Sequence, residues 1–298
     1  MKIGFLTAAL RMQPLEEMAA WASEVGFEML EFAAWPLKKG EKGSSNLDVA
    51  GMTKAKAAEL SGLMADLGLE ISSLGYYDNM LAAEPEARRA KTAHLKKVID
   101  AAARLGVGLV GCFAGRHAGK TLDENLVEVK KVFMPLCRYA ADHGVRLMLE
   151  NCPMEGWQFE GLVGNIAYNP EMWCKIFDVL DEFDVGLNYD PSHLHWLGID
   201  HTGLIPEFAE RIVHVHAKDT EIIEERAHRN GFYSSGWWRY RIPGMGEIDW
   251  GRFISVLGEC GYDGVLSIEH EDPVWHGEPE KKKQGLVLGR RHLAQFLP

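Results

Sequence analysis

The stretch Arg211-Ile212-Val213-His214-Val215-His216-Ala217-Lys218-Asp219 sets valines against histidines in strict alternation. Successive side chains of an extended chain point to opposite faces. Val213 and Val215 therefore share one face, and His214 and His216 the other. The same division recurs in three more stretches. Met148 and Glu150 oppose Leu147 and Leu149. Gly186, Asn188 and Asp190 oppose Val185, Leu187 and Tyr189. Val265, Ser267 and Glu269 oppose Leu266 and Ile268. One face is always aliphatic, as packing on helices requires. The other holds small or polar groups and finishes on an ionisable one.

Outward from these stretches, extended and helical patterns alternate along the chain. Strands are predicted over 3–8, 27–33, 70–76, 109–113, 146–151, 185–189, 211–216 and 265–269. Helices are predicted over 14–25, 53–67, 85–105, 122–142, 170–180, near 203–209, over 250–259 and at about 282–296. Gly26, Gly68, Gly106, Gly144 and Gly261 close five of the helices, where a left-handed residue ends the last turn. The polar run 38–45 and the long segment 218–246 read as loops. Repeated strand–helix units require parallel pairing and right-handed crossovers. Eight of them in 298 residues predict a single (β/α)8 TIM barrel, residues 1–298 forming one domain. The first strand–helix turn lacks G-x-G-x-x-G, which opposes a dinucleotide fold.

Composition narrows the partners. Lys and Arg number 32 against 43 Asp and Glu, a net charge of −11. Such a surface repels nucleic acid and anionic membrane, so neither is an expected partner. No apolar run approaches the length of a spanning helix. The N-terminal stretch reads as a first strand and not as a leader. Five scattered cysteines without a C-x-x-C pair predict reduced thiols and a cytoplasmic protein.

In a barrel, function collects at the C-terminal strand ends. Glu150, Asp190, His216 and Glu269 end the last four strands and should converge there. Three carboxylates in one place resist ionisation unless a cation joins them. Three oxygens, one imidazole and no thiolate make a hard donor set. Mn²⁺ is the expected ion, with Mg²⁺, Co²⁺ and Zn²⁺ compatible.

The motifs Leu149-Glu150-Asn151, Asp190-Pro191-Ser192-His193 and His214-Val215-His216-Ala217-Lys218-Asp219 come in a telling order. Arg241-Ile242-Pro243-Gly244-Met245-Gly246-Glu247-Ile248-Asp249-Trp250 and Ser267-Ile268-Glu269-His270-Glu271-Asp272 follow them. This order resembles the sugar isomerase/epimerase family with the xylose-isomerase-like barrel. The resemblance implies Glu150, Asp190, His216 and Glu269 as ligands of one divalent metal. It implies His193 as a wall of the substrate pocket and Arg241 as a residue that reaches the substrate. It implies a small carbohydrate substrate and leaves a homo-oligomer open. The chemistry would be proton removal α to a carbonyl, with Glu150 and Glu269 as the base and acid on opposite faces.

Other residues have two readings. Lys218 follows His216 by two and should share its face, to bind a substrate oxygen or to pair with a carboxylate. His117, after the fourth strand, is a further acid/base group or a solvent-facing loop histidine. Glu31 faces inward toward substrate or toward a lysine. His214 is expected as a packed, hydrogen-bonded barrel histidine. His270, Glu271 and His276 read as loop or rim residues. Trp35, Trp157, Trp196 and Trp237-Trp238 would wall a sugar face or fill the core.

An isomerase or epimerase of a keto sugar is the first reading. A lyase acting on an inosose or 3-keto glycoside is the alternative, since it begins with the same proton abstraction. A zinc phosphodiesterase would need further histidines at the early strand ends, where Ala34-Trp35 and Tyr76-Tyr77 stand instead. A non-catalytic barrel would not be expected to keep four ligands.

Overall fold

Eight short strands leave their outer face to be covered, and ten helices among the described residues lie between and after them. The computed structural model describes residues 1–37, 45–154 and 163–298. The barrel strands are β1 (Lys2–Leu6), β2 (Met29–Ala33), β3 (Glu70–Asn79), β4 (Leu109–Phe113), β5 (Arg146–Glu150), β6 (Gly186–Tyr189), β7 (Ile212–Ala217) and β10 (Val265–Ile268). All pair in parallel and close in the order β1-β10-β7-β6-β5-β4-β3-β2. The predicted (β/α)8 TIM barrel is therefore the fold.

The main outer helices are α1 (Leu15–Glu24), α2 (Lys54–Asp66), α3 (Pro85–Leu105), α4 (Leu122–Asp142), α5 (Pro170–Val179), α9 (Trp250–Glu259) and α10 (Pro279–Leu293). Local chemistry sets several of their ends. Thr121 and Glu124 form a capping box at the start of α4, each satisfying the other's backbone N–H. Gly106 closes α3 at φ 70°, a conformation that costs an L side chain about 1–2 kcal/mol. Phe5, Leu30, Leu74, Leu149, Val215 and Ile268 are buried between sheet and helices.

Four departures from the expected elements matter for the site. The first strand stops at Leu6, and Thr7–Leu10 forms a 3-10 turn. There the Thr7 hydroxyl accepts the Ala33 N–H at 2.9 Å, which ties the turn to β2. The third strand runs on to Asn79, with a register shift against β4 between Tyr76 and Asn79. The helix predicted near 203–209 shrinks to α7 (Ile205–Phe208), while a separate short helix, α6 (Pro191–Trp196), starts directly after β6. Asp190 caps α6 by accepting the Ser192 N–H at 2.8 Å, and Pro191 has no N–H to leave unpaired.

The segment 218–246 is not a simple loop. It contains β8 (Asp219–Ile222), α8 (Glu224–Asn230) and β9 (Trp238–Arg241), with β8 and β9 antiparallel. Glu221 faces both Arg239 and Arg241, so cross-strand ion pairs hold the hairpin. The polar run 38–45 falls, apart from Ser45, outside the described residues, as does Trp157.

Two missing side chains shape the barrel interior. A Cβ at Gly75 would stand 2.6 Å from the Tyr77 ring, and one at Gly111 would collide with the Tyr77 hydroxyl. These glycines let the Tyr77 ring lie across the barrel mouth. Gly111→Ala should therefore displace Tyr77 and cost about 1–3 kcal/mol, as overpacking of a filled interior does. A lowered urea midpoint in equilibrium unfolding checks this.

Candidate active site

The four strand-end residues do come together. One donor atom from each of Glu150, Asp190, His216 and Glu269 lies within 4.8 Å of every other, so the group could hold a metal ion. Glu150 ends β5, His216 lies in β7, and Glu269 directly follows β10. Asp190 reaches the group from the start of α6. The first three are almost fully buried. His216 Nδ1 stands 3.4 Å from Glu150 and 3.2 Å from Glu269.

Two atoms of this group test whether a cation suits it. His216 Nδ1 and Asp190 Oδ2 are buried and make no well-aligned hydrogen bond among the described residues, although Lys218 and His193 stand 3.2 Å from Asp190 Oδ2. Buried polar atoms are almost always satisfied, so this pair marks a place where a ligand belongs. The other ring nitrogen is committed. His216 Nε2 is 2.9 Å from Glu31 Oε2, and an ionised carboxylate only accepts. The Nε2 hydrogen therefore points at Glu31, and the Nδ1 lone pair is left for a cation.

Glu31 is held from every side. It accepts from the Ser267 hydroxyl at 2.8 Å and from the Tyr77 hydroxyl. Burial works against its charge, but the facing His216 and His214 and the bonds from His216 and Tyr77 bring its pKa down to about 2. Among the described residues no lysine pairs with it; the imidazole of His216 is its partner. His214 sits one layer lower, with Nδ1 2.8 Å from Asn188 Oδ1 and Nε2 3.2 Å from the Ser72 hydroxyl. Burial lowers its pKa to about 4, so it is a neutral packed histidine. Asn188 in turn donates to the Tyr77 hydroxyl at 2.7 Å.

Lys218 fills the space beside the four. Its ammonium is 2.6 Å from Glu269, 3.2 Å from Asp190 and 3.0 Å from Glu271. Burial disfavours the charge, but Asp190, Glu269 and Glu271 outweigh it and hold the lysine protonated. The Tyr240 ring lies under the ammonium, 4.3 Å from centroid to nitrogen. Tyr240 also places its hydroxyl 2.8 Å from His193 Nδ1, which leaves His193 Nε2 3.2 Å from Asp190.

A cavity of about 410 Å³ opens above these groups. Glu150, His193, Lys218, Glu269 and Glu271 contribute its polar wall, and Trp35, Tyr77, Phe113, Met154 and Tyr240 its apolar one. That mixture suits a small polar ligand with one apolar face.

Two expected residues sit elsewhere. Arg241 Nε is 2.9 Å from Asp272, and its far end pairs with Glu221. It is not among the residues lining the cavity. His117 accepts the Gly119 N–H at 3.2 Å on Nδ1 and is also outside that lining. Conversely, Tyr77, Tyr240 and Glu271 line the cavity without having been singled out as site residues. Glu271 follows Glu269 by two residues, the one signal that was present. Tyr77 is turned by a register shift, and Tyr240 rides on a hairpin that reads as loop.

A family model described as the xylose isomerase-like TIM barrel matches residues 19–293. An uncharacterised protein, YfiH, from Bacillus subtilis is 27% identical over 296 residues, covering 91% of this chain and 93% of its own length. An inosose dehydratase from Clostridium perfringens is 32% identical over 116 residues, 37% of this chain and 39% of that protein. Among solved structures, a 3-keto-D-glucoside 4-epimerase, YcjR, from E. coli superposes with a TM-score of 0.69 at 17% identity, covering 98% of this chain and 99% of that one.

Lys218 is the nearest positive charge to three carboxylates, and its loss would leave them facing one another. Lys218→Met should destabilise chelator-treated protein by about 3 kcal/mol, as unpairing a buried ion pair does. Urea unfolding in chelator checks this, and added Mn²⁺ should recover part of the loss.

Proposed function

Because this chain belongs to the xylose isomerase-like TIM barrel family, we propose that it is a divalent-metal-dependent isomerase or epimerase of a keto sugar. The observation that carries the reading is the convergence of Glu150, Asp190, His216 and Glu269, of which Glu150 and Glu269 line a cavity of about 410 Å³. Those four residues would hold the metal, Mn²⁺ being the ion best matched to the donors. When bound, such an ion acts as a Lewis acid on neighbouring carbonyl and hydroxyl oxygens and makes the adjacent C–H more acidic.

The chain's own groups do the rest. Glu150 and Glu269 arise from β5 and β10, which are not neighbours in the barrel, so they reach the floor from different sides. One carboxylate takes the proton from one face of the substrate carbon. The other returns a proton to the opposite face for epimerisation, or to the adjacent carbon for isomerisation. Lys218 keeps Glu269 ionised and ready to accept. His193, oriented by Tyr240, offers Nε2 to a substrate hydroxyl. Trp35 and Phe113 cover an apolar sugar face and exclude water.

A second reading is elimination from an inosose or a 3-keto glycoside. It is favoured by the inosose dehydratase relative and by the Lys218 ammonium in the cavity wall, which could protonate a departing hydroxyl. Proton abstraction is common to both readings. The electron pair then returns to carbon in one and expels the β-substituent in the other.

The test is a panel of ketoses, inososes and 3-keto glycosides in D₂O with Mn²⁺. Deuterium incorporation at one carbon is expected, with the product separating epimer from alkene. Glu150→Gln and Glu269→Gln should each slow exchange about 10²-fold or more, the usual worth of a positioned base. Unchanged exchange in both variants would remove the proposal.

A further inference from the structure

A second cavity, of about 370 Å³, opens beside the first and shares Tyr240, Glu269 and Glu271 with it. Its outer wall is basic. Arg11 follows the 3-10 turn after β1, and Lys282 stands near the start of α10. His276, in the segment after β10, completes that wall. The carboxylates that face this lobe, Glu269 and Glu271, are both engaged by Lys218.

Several part-buried cations elsewhere among the described residues have carboxylate partners. Arg88 pairs with Glu128, Lys91 with Asp78 and Arg241 with Asp272. Arg11 and Lys282 have no such partner among the described residues, although the net charge is −11. Instead they oppose each other: burial first, and then the nearby Arg11, hold the Lys282 ammonium below its ordinary range. Two like charges left together in an acidic protein call for an anion between them.

His270 supplies an independent observation. It lines the same cavity, is only 8% exposed, and has no hydrogen-bond partner on either ring nitrogen. One of those nitrogens must carry a hydrogen, so a buried donor is left unsatisfied in the wall of the lobe.

We propose that this lobe binds the anionic oxygens of the substrate, with Arg11 and Lys282 as counter-charges and His270 as a donor. The substrate would then be an acidic keto sugar, bearing a carboxylate or a phosphate at the end remote from the reacting carbon. The shared wall of Tyr240, Glu269 and Glu271 lets one molecule occupy both cavities. This assignment rests on the proposed keto-sugar chemistry for what fills the first cavity, but the anion site itself can be tested alone.

The probes are inorganic phosphate and glucuronate, each titrated calorimetrically into the chelator-treated full chain. Saturable binding of at least one probe is expected, and the tighter of the two identifies phosphate or carboxylate as the natural group. The double variant Arg11→Gln, Lys282→Gln should weaken that binding about tenfold or more, as loss of charge-assisted hydrogen bonds does. His270→Phe, which keeps a ring in the same place, should weaken it too. Absence of binding by both probes, or equal binding by the double variant with unchanged unfolding behaviour, would overturn the anion site. Deuterium exchange by the wild-type chain on neutral ketoses is read separately. Exchange without anion binding counts against this lobe alone. Anion binding without exchange on any substrate counts against the keto-sugar chemistry and leaves the lobe standing.

Discussion

Repulsion among buried carboxylates is the constraint around which the barrel mouth is built. Glu150, Asp190 and Glu269 are brought within one coordination sphere of each other, and Glu271 stands behind them. Carboxylates so placed cannot all ionise without positive charge among them. In the chain itself that charge comes from Lys218 and from His216, whose imidazole is driven toward its protonated form, against burial, by Glu31, Glu269 and Glu150. A divalent cation would satisfy the same need and would compete with a proton for His216 Nδ1. The site is thus stable with either form of compensation, and the cost of assembling it falls on the surrounding scaffold.

That scaffold is a buried, hydrogen-bonded layer of polar groups under the floor, built around the ionised Glu31. Glu31 on β2 fixes His216 on β7 across the barrel interior, and Ser267 on β10 and Tyr77 on β3 fix Glu31. Asn188 on β6 joins Tyr77 to His214. Five strands therefore meet in one hydrogen-bonded group, and the orientation of His216 is set by a strand other than its own. Side chains locked this way can hold a reacting geometry more firmly than loop residues can.

The strand-end residues were legible because alternation in a parallel strand is a local property. Val213 and Val215 against His214 and His216 assign faces with no knowledge of neighbours, and the barrel then brings the polar faces together. Glu31 was legible in direction for the same reason, but not in partner, since His216 lies 185 residues away. Tyr77 was not legible: a register shift between β3 and β4 decides where its ring goes, and pattern alone carries no register across strands. The hairpin of β8 and β9 was lost because the ion pairs of Glu221 with Arg239 and Arg241 run between strands and have no signature along the chain.

That hairpin divides the labour of the site. Asp219 anchors its base by accepting from the Gly244 and Ile248 N–H groups and from the Trp250 indole. Trp238 stacks on Trp196 at 4.5 Å between ring centroids, which fastens the hairpin to α6. Tyr240 projects from it to orient His193, to lie under Lys218 and to form the wall between the two cavities. The groups suited to proton chemistry sit on or directly after barrel strands, where the closed sheet allows little change. The groups that meet the remainder of a substrate sit on the hairpin, the turn after β1 and the start of α10, which the sheet does not constrain. A change of substrate in such a protein can therefore come from these connections while the four converging residues stay as they are.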